Sequence, residues 1–172
     1  LCPNPFRDKG LKAAKSSETL LRAAGVHTEC CFPFPVDKNN IGEIDPTIKI
    51  KEMKTELPDA DFLVCFGGDG TILHAAKDAS SFGVPIVGVN MGSVGFMAEL
   101  EHSELDLLSR VAEKKYTLEP RMMLDVVIRR GKDIVCRDLA LNDAVITKGA
   151  VARVIDLDVS GDGVPIYDFS GD

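Results

Sequence analysis

The residues best suited to chemistry stand in one run, Gly67-Gly68-Asp69-Gly70-Thr71, directly behind the apolar stretch of residues 61–66. Glycines at the end of a buried strand let a ligand approach the backbone closely. A helix starting there offers unpaired amides and the positive end of its dipole, which suits phosphate. The run is neither a P-loop, since it lacks Gly-Lys-Ser/Thr, nor a dinucleotide fingerprint, since it lacks the third glycine. Its unusual member is Asp69. A carboxylate beside a phosphate cradle repels phosphate unless it has a task, such as holding magnesium or accepting the proton of a hydroxyl that attacks phosphorus. The plainer reading is a tight turn with Asp69 as helix N-cap.

Two further features bear on that choice. Residues 84–90 form a second apolar run that empties into Met91-Gly92-Ser93-Val94-Gly95-Phe96, so two strand-to-glycine-loop transitions fall within about thirty residues. In an open α/β sheet both loops lie at the carboxyl ends of the strands, where ligands collect. The third feature is Asn142-Asp143 inside the apolar run Leu141 to Ile146. It reads either as a hairpin or bulge position or as an amide and a carboxylate offered to a ribose diol or a carboxamide.

The elements that must position these groups follow from pattern. Asp8 is placed to cap a helix over residues 8–24 that stops at Gly25. Residues 26–32 read as a strand, 33–40 as a loop, and 47–57 as a short helix ending before Pro58. Residues 71–77 read as a helix behind the first loop, and 103–113 as an amphipathic helix capped by Ser103. Beyond Thr117 the pattern changes to short strands over 122–130, 133–137, 140–147, 153–160 and 164–168, punctuated by glycine. The fold class implied is α/β: an open, Rossmann-like parallel sheet over residues 1–100, then the beginning of a β-rich, sandwich-like domain over 101–172.

Composition narrows the function classes. Net charge is −7, the basic pairs Lys114-Lys115 and Arg129-Arg130 are isolated, and no basic stripe for nucleic acid is present. No run approaches the ~18 apolar residues of a membrane span, and no signal peptide is visible, so a cytoplasmic protein is expected. The five cysteines contain no C-x-x-C, which fits a reduced chain. His27, His74 and His102 lack metal-ligand spacing, so no protein-held metal is expected. The start at Leu1 and the ending on Gly171-Asp172 suggest a piece of a longer chain.

Together the three features resemble the NAD kinase family. Residues 66–73 look like its signature loop, residues 85–96 like its second loop, and residues 141–145 like its Asn-Glu/Asp motif, in matching order and spacing along nearly the whole chain. The first motif is shared with diacylglycerol and sphingosine kinases, and a close variant occurs in 6-phosphofructokinases. A lipid or sugar kinase, or a non-catalytic nucleotide-binding module, therefore stands as the alternative.

The resemblance implies transfer of the ATP γ-phosphoryl group, with a divalent metal such as Mg2+, to the adenosine 2′-hydroxyl of NAD, giving NADP. Asp69 would be the general base, with Gly68 and Gly70 lining the same site and Asn90 serving it from the second loop. His74 matches a position that is often basic and near the nucleotide; otherwise it is an ordinary helix-surface histidine. Phe96 would pack near the adenine, with Met97 where an aromatic residue is common. Asn142 and Asp143 would hold the nicotinamide-side ribose. Arg153 would touch the dinucleotide, or else be a strand-surface arginine. Asp172 would be a further binding carboxylate, while Ser170 stands where Arg or Lys is frequent. The family continues past the position of Asp172 into a Thr- and Gly-rich segment that completes the site. Little or no activity is therefore expected of these 172 residues alone, and a homodimer or homotetramer is expected at full length.

Overall fold

The computed structural model describes residues 1–92, 95–149 and 154–171, with Lys38 by its backbone alone. The chain divides into two compact units, Leu1–Asn142 and Asp143–Asp172.

The first unit begins β1 (Cys2–Pro3), α1 (Lys12–Ala23), β2 (Cys30–Cys31), β3 (Ile50–Lys51), α2 (Met53–Glu56), β4 (Leu63–Gly67), α3 (Asp69–Phe82), β5 (Ile86–Asn90), β6 (Leu100–Glu101) and α4 (Ser109–Ala112). It closes with an antiparallel hairpin, β7 (Leu124–Arg130) and β8 (Asp133–Ala140). The main sheet is parallel throughout, in the order β1-β4-β5-β6. The second unit contains the antiparallel pair β9 (Ile155–Gly161) and β10 (Val164–Gly171). This is the α/β layout followed by β structure that the sequence implies.

Strand β4 is buried on both faces, as a central parallel strand must be. Its alternating side chains serve two cores. Leu63 and Cys65 pack with Ile72, Ala75 and Ala79 of α3. Val64 and Phe66 pack with Ala13, Ala14 and Leu21 of α1. The two helices thus cover opposite faces of the sheet, and β4 is clamped between them. Helix α1 is held from outside its first turn. Asp8, 2% exposed, accepts the amides of Ala13 and Ala14, each at 2.9 Å. It therefore caps the helix as expected, but across an intervening 3-10 turn at Lys9–Leu11.

Four local readings need correction. Of residues 26–32 only Cys30–Cys31 are strand, because only these find a ladder partner, Ile50–Lys51. The helix expected over 47–57 therefore starts later, at Met53, and runs on as a 3-10 turn at Leu57–Asp59. Residues 102–112 are a 3-10 turn followed by the short α4. A Glu101–Glu104 capping box starts that stretch in place of Ser103. The strand expected over 140–147 ends at Ala140. Val145 and Ile146 lie exposed without a ladder, so their apolar character finds no partner strand among the described residues.

Candidate active site

Parallel pairing fixes the site before any side chain is considered. Gly67 at the end of β4 lies in register with Asn90 at the end of β5. The two glycine loops therefore leave the sheet side by side. The amide of Met91 donates to the Gly67 carbonyl at 2.8 Å, and on the other flank the amide of Asn4 donates to the Phe66 carbonyl at 2.8 Å. Three chain segments, following β1, β4 and β5, are thus stitched together at one edge.

Asp69 is the first residue of α3 and stands at the junction. Its Oδ2 accepts the Phe96 amide at 3.2 Å and its Oδ1 the Met97 amide at 3.1 Å. The carboxylate thus ties the second loop to the first turn of the helix. Gly95 must be glycine for this to occur, since a Cβ there would stand 2.9 Å from Asp69 Oδ1. A carboxylate offers about four acceptor positions, so each oxygen keeps room for one more donor. A Cβ at Gly68 or Gly70 would meet nothing within 4 Å, so the backbone there is open to an approaching group. The amides of the first helical turn have no intrahelical acceptor.

The remaining expected residues fall into distinct settings. Asn90, 4% exposed, is fully engaged: its Nδ2 donates to both carboxylate oxygens of Glu101 at 3.2 Å, and its Oδ1 accepts the Gly92 amide at 3.1 Å. It braces the second loop against β6. Phe96 is 91% exposed, its ring standing clear of the protein while its amide holds Asp69. His74 is exposed on α3 one turn beyond Gly70, and its ring meets Phe34 edge to face, with centroids 5.3 Å apart. Asn142 is the last residue of the first unit and Asp143 the first of the second, both exposed. Arg153 and Asp172 lie outside the described residues. The structure therefore gathers Gly68, Asp69, Gly70, Asn90 and Phe96 at one edge, with His74 a turn away.

Sequence reasoning passed over several residues at this edge. Asn4 donates its Nδ2 to the Thr71 hydroxyl at 3.0 Å and accepts the Phe6 amide at 3.0 Å on its Oδ1. Arg7 Nη1 lies 3.6 Å from where a Gly92 Cβ would stand. Phe34 stands in the loop over residues 33–40. The usable signal was position: residues 4–7 and 32–36 follow β1 and β2, and so leave from the same edge of parallel strands as the glycine loops.

A cavity of about 850 Å³ lies elsewhere. It is lined by Leu1, Leu63 and Pro85, which begin or precede strands, and by Val26, Leu108 and Tyr116. That is the amino end of the sheet, and none of the glycine-loop residues touches it. Among the described residues no three His, Cys, Asp or Glu side chains cluster in a way that could hold a metal, and no helix is long and apolar enough to cross a membrane.

The family model described as "ATP-NAD kinase N-terminal domain" matches residues 12–116. An NAD kinase of Acetivibrio thermocellus is 43% identical over 158 residues, covering 91% of this chain and 53% of that protein. "NAD kinase 2" of Streptomyces coelicolor is 38% identical over 142 residues, covering 82% and 44%. An NAD kinase of Mycobacterium bovis is 33% identical over 175 residues, covering 96% and 57%. The chain thus spans about half the length of the curated relatives it matches. A crystal structure of yeast NADH kinase complexed with NADH shares the fold, with a TM-score of 0.73 at 20% identity, over 96% of this chain and 52% of that one. With the family match running across the signature loop, the second loop and both helices that flank the sheet, this chain belongs to the NAD kinase family.

Proposed function

We propose that the complete protein phosphorylates NAD at the 2′-hydroxyl of its adenosine ribose, taking the γ-phosphoryl group from ATP and releasing NADP and ADP. The observation that carries this reading is the placement of Asp69 between two glycine loops, with acceptor capacity left on both oxygens. In the step proposed, the 2′-hydroxyl gives its proton to Asp69 and its oxygen bonds to the γ-phosphorus. The bond from that phosphorus to the bridging oxygen breaks, and ADP takes the electron pair. The open backbone at Gly68 and Gly70, with the first-turn amides of α3, suits the phosphates.

Phe96 is proposed to pack on the acceptor adenine, and Asn142 and Asp143 to hold the second ribose, with Arg153 and Asp172 as further dinucleotide contacts. Asn90 serves the site by holding the loop that carries Phe96. A divalent cation would neutralise the ATP phosphates. Among the described residues the edge offers it no carboxylate pair, since Asp69 faces two amides and Glu101 faces Asn90. Magnesium is therefore proposed to arrive on ATP. A homo-oligomeric, cytoplasmic enzyme is the assembly and location proposed with this reading.

The test is NADP formation by the purified complete protein from NAD and ATP, followed with an NADP-specific dehydrogenase. Turnover near 1 s⁻¹ or more is expected, the range common for enzymes. ATP consumption on a lipid or sugar alcohol without NADP formation would refute it.

A further inference from the structure

We infer that Phe6, Phe34 and His74 form a platform for the base of the nucleotide phosphoryl donor, with Arg7 meeting its phosphates. The inference rests on the reading of this edge as a phosphoryl-transfer site and assigns the side from which the donor enters.

The three rings come from three separate segments. Phe6 follows β1, Phe34 follows β2, and His74 lies on α3. Phe6 and Phe34 are near parallel, 11° apart with centroids at 6.3 Å, and Phe34 meets His74 at 5.3 Å and 64°. None of the three belongs to either core cluster. Phe6 is 50% exposed and His74 is also exposed, so the group leaves aromatic surface open to solvent. Burial does not explain such an arrangement. Stacking of a flat heteroaromatic base does, because any base offers a π-face to an aromatic ring.

The platform is held in place by polar contacts. The Asn4 side chain binds the Thr71 hydroxyl and the Phe6 amide, which fixes the turn carrying Phe6 and Arg7 against the first turn of α3. The amides of Arg7 and Asp8 both donate to the Asn4 carbonyl, at 3.0 and 2.8 Å. Among the described residues the Arg7 guanidinium makes no ion pair, in a chain of net charge −7. It lies beside Gly92, at the mouth of the second loop. A guanidinium with all its donors available suits phosphate oxygens.

Sheet order then separates donor from acceptor. Phe6 follows β1, on one side of β4, and Phe34 follows β2, whose Cys31 amide donates to the Leu1 carbonyl beside β1 at 2.9 Å, whereas Phe96 follows β5, on the other side of β4. Asp69, at the tip of β4, lies between. Transfer in line requires donor and acceptor oxygens on opposite sides of the phosphorus. Two aromatic sites flanking one carboxylate meet that requirement: the acceptor base lies towards Phe96 and the donor base towards Phe34.

The test uses the complete protein and three variants, Phe34→Leu, His74→Ala and Arg7→Gln. Readouts are KM for ATP and for NAD, the inhibition constant of inorganic tripolyphosphate (a donor mimic with no base), and ATP affinity by calorimetry. Loss of one stacking ring is expected to raise KM for ATP about tenfold, with KM for NAD shifted less than twofold. Phe34→Tyr, which keeps the ring, should recover the ATP affinity. Tripolyphosphate inhibition should be unmoved by Phe34→Leu and weakened by Arg7→Gln. His74 lies on an exposed helix face, so His74→Ala reads the same platform should Phe34→Leu lower stability. A rise in KM for NAD in place of ATP, or ATP affinity unchanged in both ring variants, overturns the inference. If the unaltered protein makes no NADP, the functional reading fails, but calorimetry still decides the platform. ATP binding weakened about tenfold by loss of the ring supports it, and ATP binding that is absent or indifferent to the ring refutes it.

Discussion

Replacing Asp69 by Asn separates the two tasks the structure gives this residue. The carboxylate accepts two backbone amides, from Phe96 and Met97, and is proposed to accept a proton. Asparagine keeps one acceptor oxygen but turns an NH2 group towards the other amide. One charge-assisted hydrogen bond, worth about 1.5–3 kcal/mol, is lost. Asp69 is half-exposed, so the lower end applies, and about 1.5 kcal/mol is roughly a tenfold change in any equilibrium coupled to loop order. Removal of a general base costs about 10²–10⁴ in rate. The variant is therefore expected to lose at least about a hundredfold in kcat, with KM for NAD raised no more than about tenfold. Steady-state kinetics with ATP saturating, plus calorimetric NAD affinity, read both numbers. A kcat within tenfold of the unaltered enzyme, with KM raised a hundredfold, would show that Asp69 only tethers the loop, and the base assignment would fall.

Three further outcomes follow from packing and burial. Gly88→Ala would place a Cβ 2.6 Å from Ile72 Cδ1 and 2.9 Å from Ala98 Cα. The Ile72 tip can rotate but the Ala98 backbone cannot, so urea unfolding should show a loss of about 1–3 kcal/mol. Unchanged stability would mean that the 96–98 backbone is free to move. Asp8→Ala removes a buried cap from α1 and should cost about 2 kcal/mol or more in the same assay, with α1 amides exchanging faster; a loss under about 0.5 kcal/mol would refute the cap. Thiol labelling of the native protein at pH 8 should modify Cys136 alone, the one exposed cysteine. Burial pushes the Cys30 thiol up to about 12, and a hydrogen bond with Cys2, then burial, raises Cys31 still further. Neither therefore offers thiolate at pH 8, and peptide mapping that found either labelled as fast as Cys136 would contradict the burial.

The parts legible in the sequence are those whose signal is local. Residues 62–66 are an unbroken apolar run too short for a helix and bounded by glycine, and they supply most of the buried β4. The alternation Leu63, Val64, Cys65, Phe66 already implies two cores, one per face, and both are present. The illegible parts depend on partners distant in sequence. Cys30–Cys31 is strand only because Ile50–Lys51 runs beside it. Residues 141–146 carry a similar apolar pattern and join no ladder among the described residues, since pattern states what a strand wants and pairing decides whether it gets it. The Asn4–Thr71 contact spans 67 positions, and nothing in either segment announces it.

The same distinction accounts for the site. Each glycine loop is a local feature and can be read from its own residues. Their meeting is a property of register: because Gly67 pairs with Asn90, Asp69 lies within reach of the Phe96 and Met97 amides, and because β1 pairs with β4, Asn4 lies within reach of Thr71. A one-residue slip between β4 and β5 would turn Phe66 from one core to the other and carry the Asp69 anchor away from its amides together. Packing and chemistry are therefore specified by one set of strand pairings. The Gly67 to Thr71 loop is consequently informative about function only once its neighbours in the sheet are known.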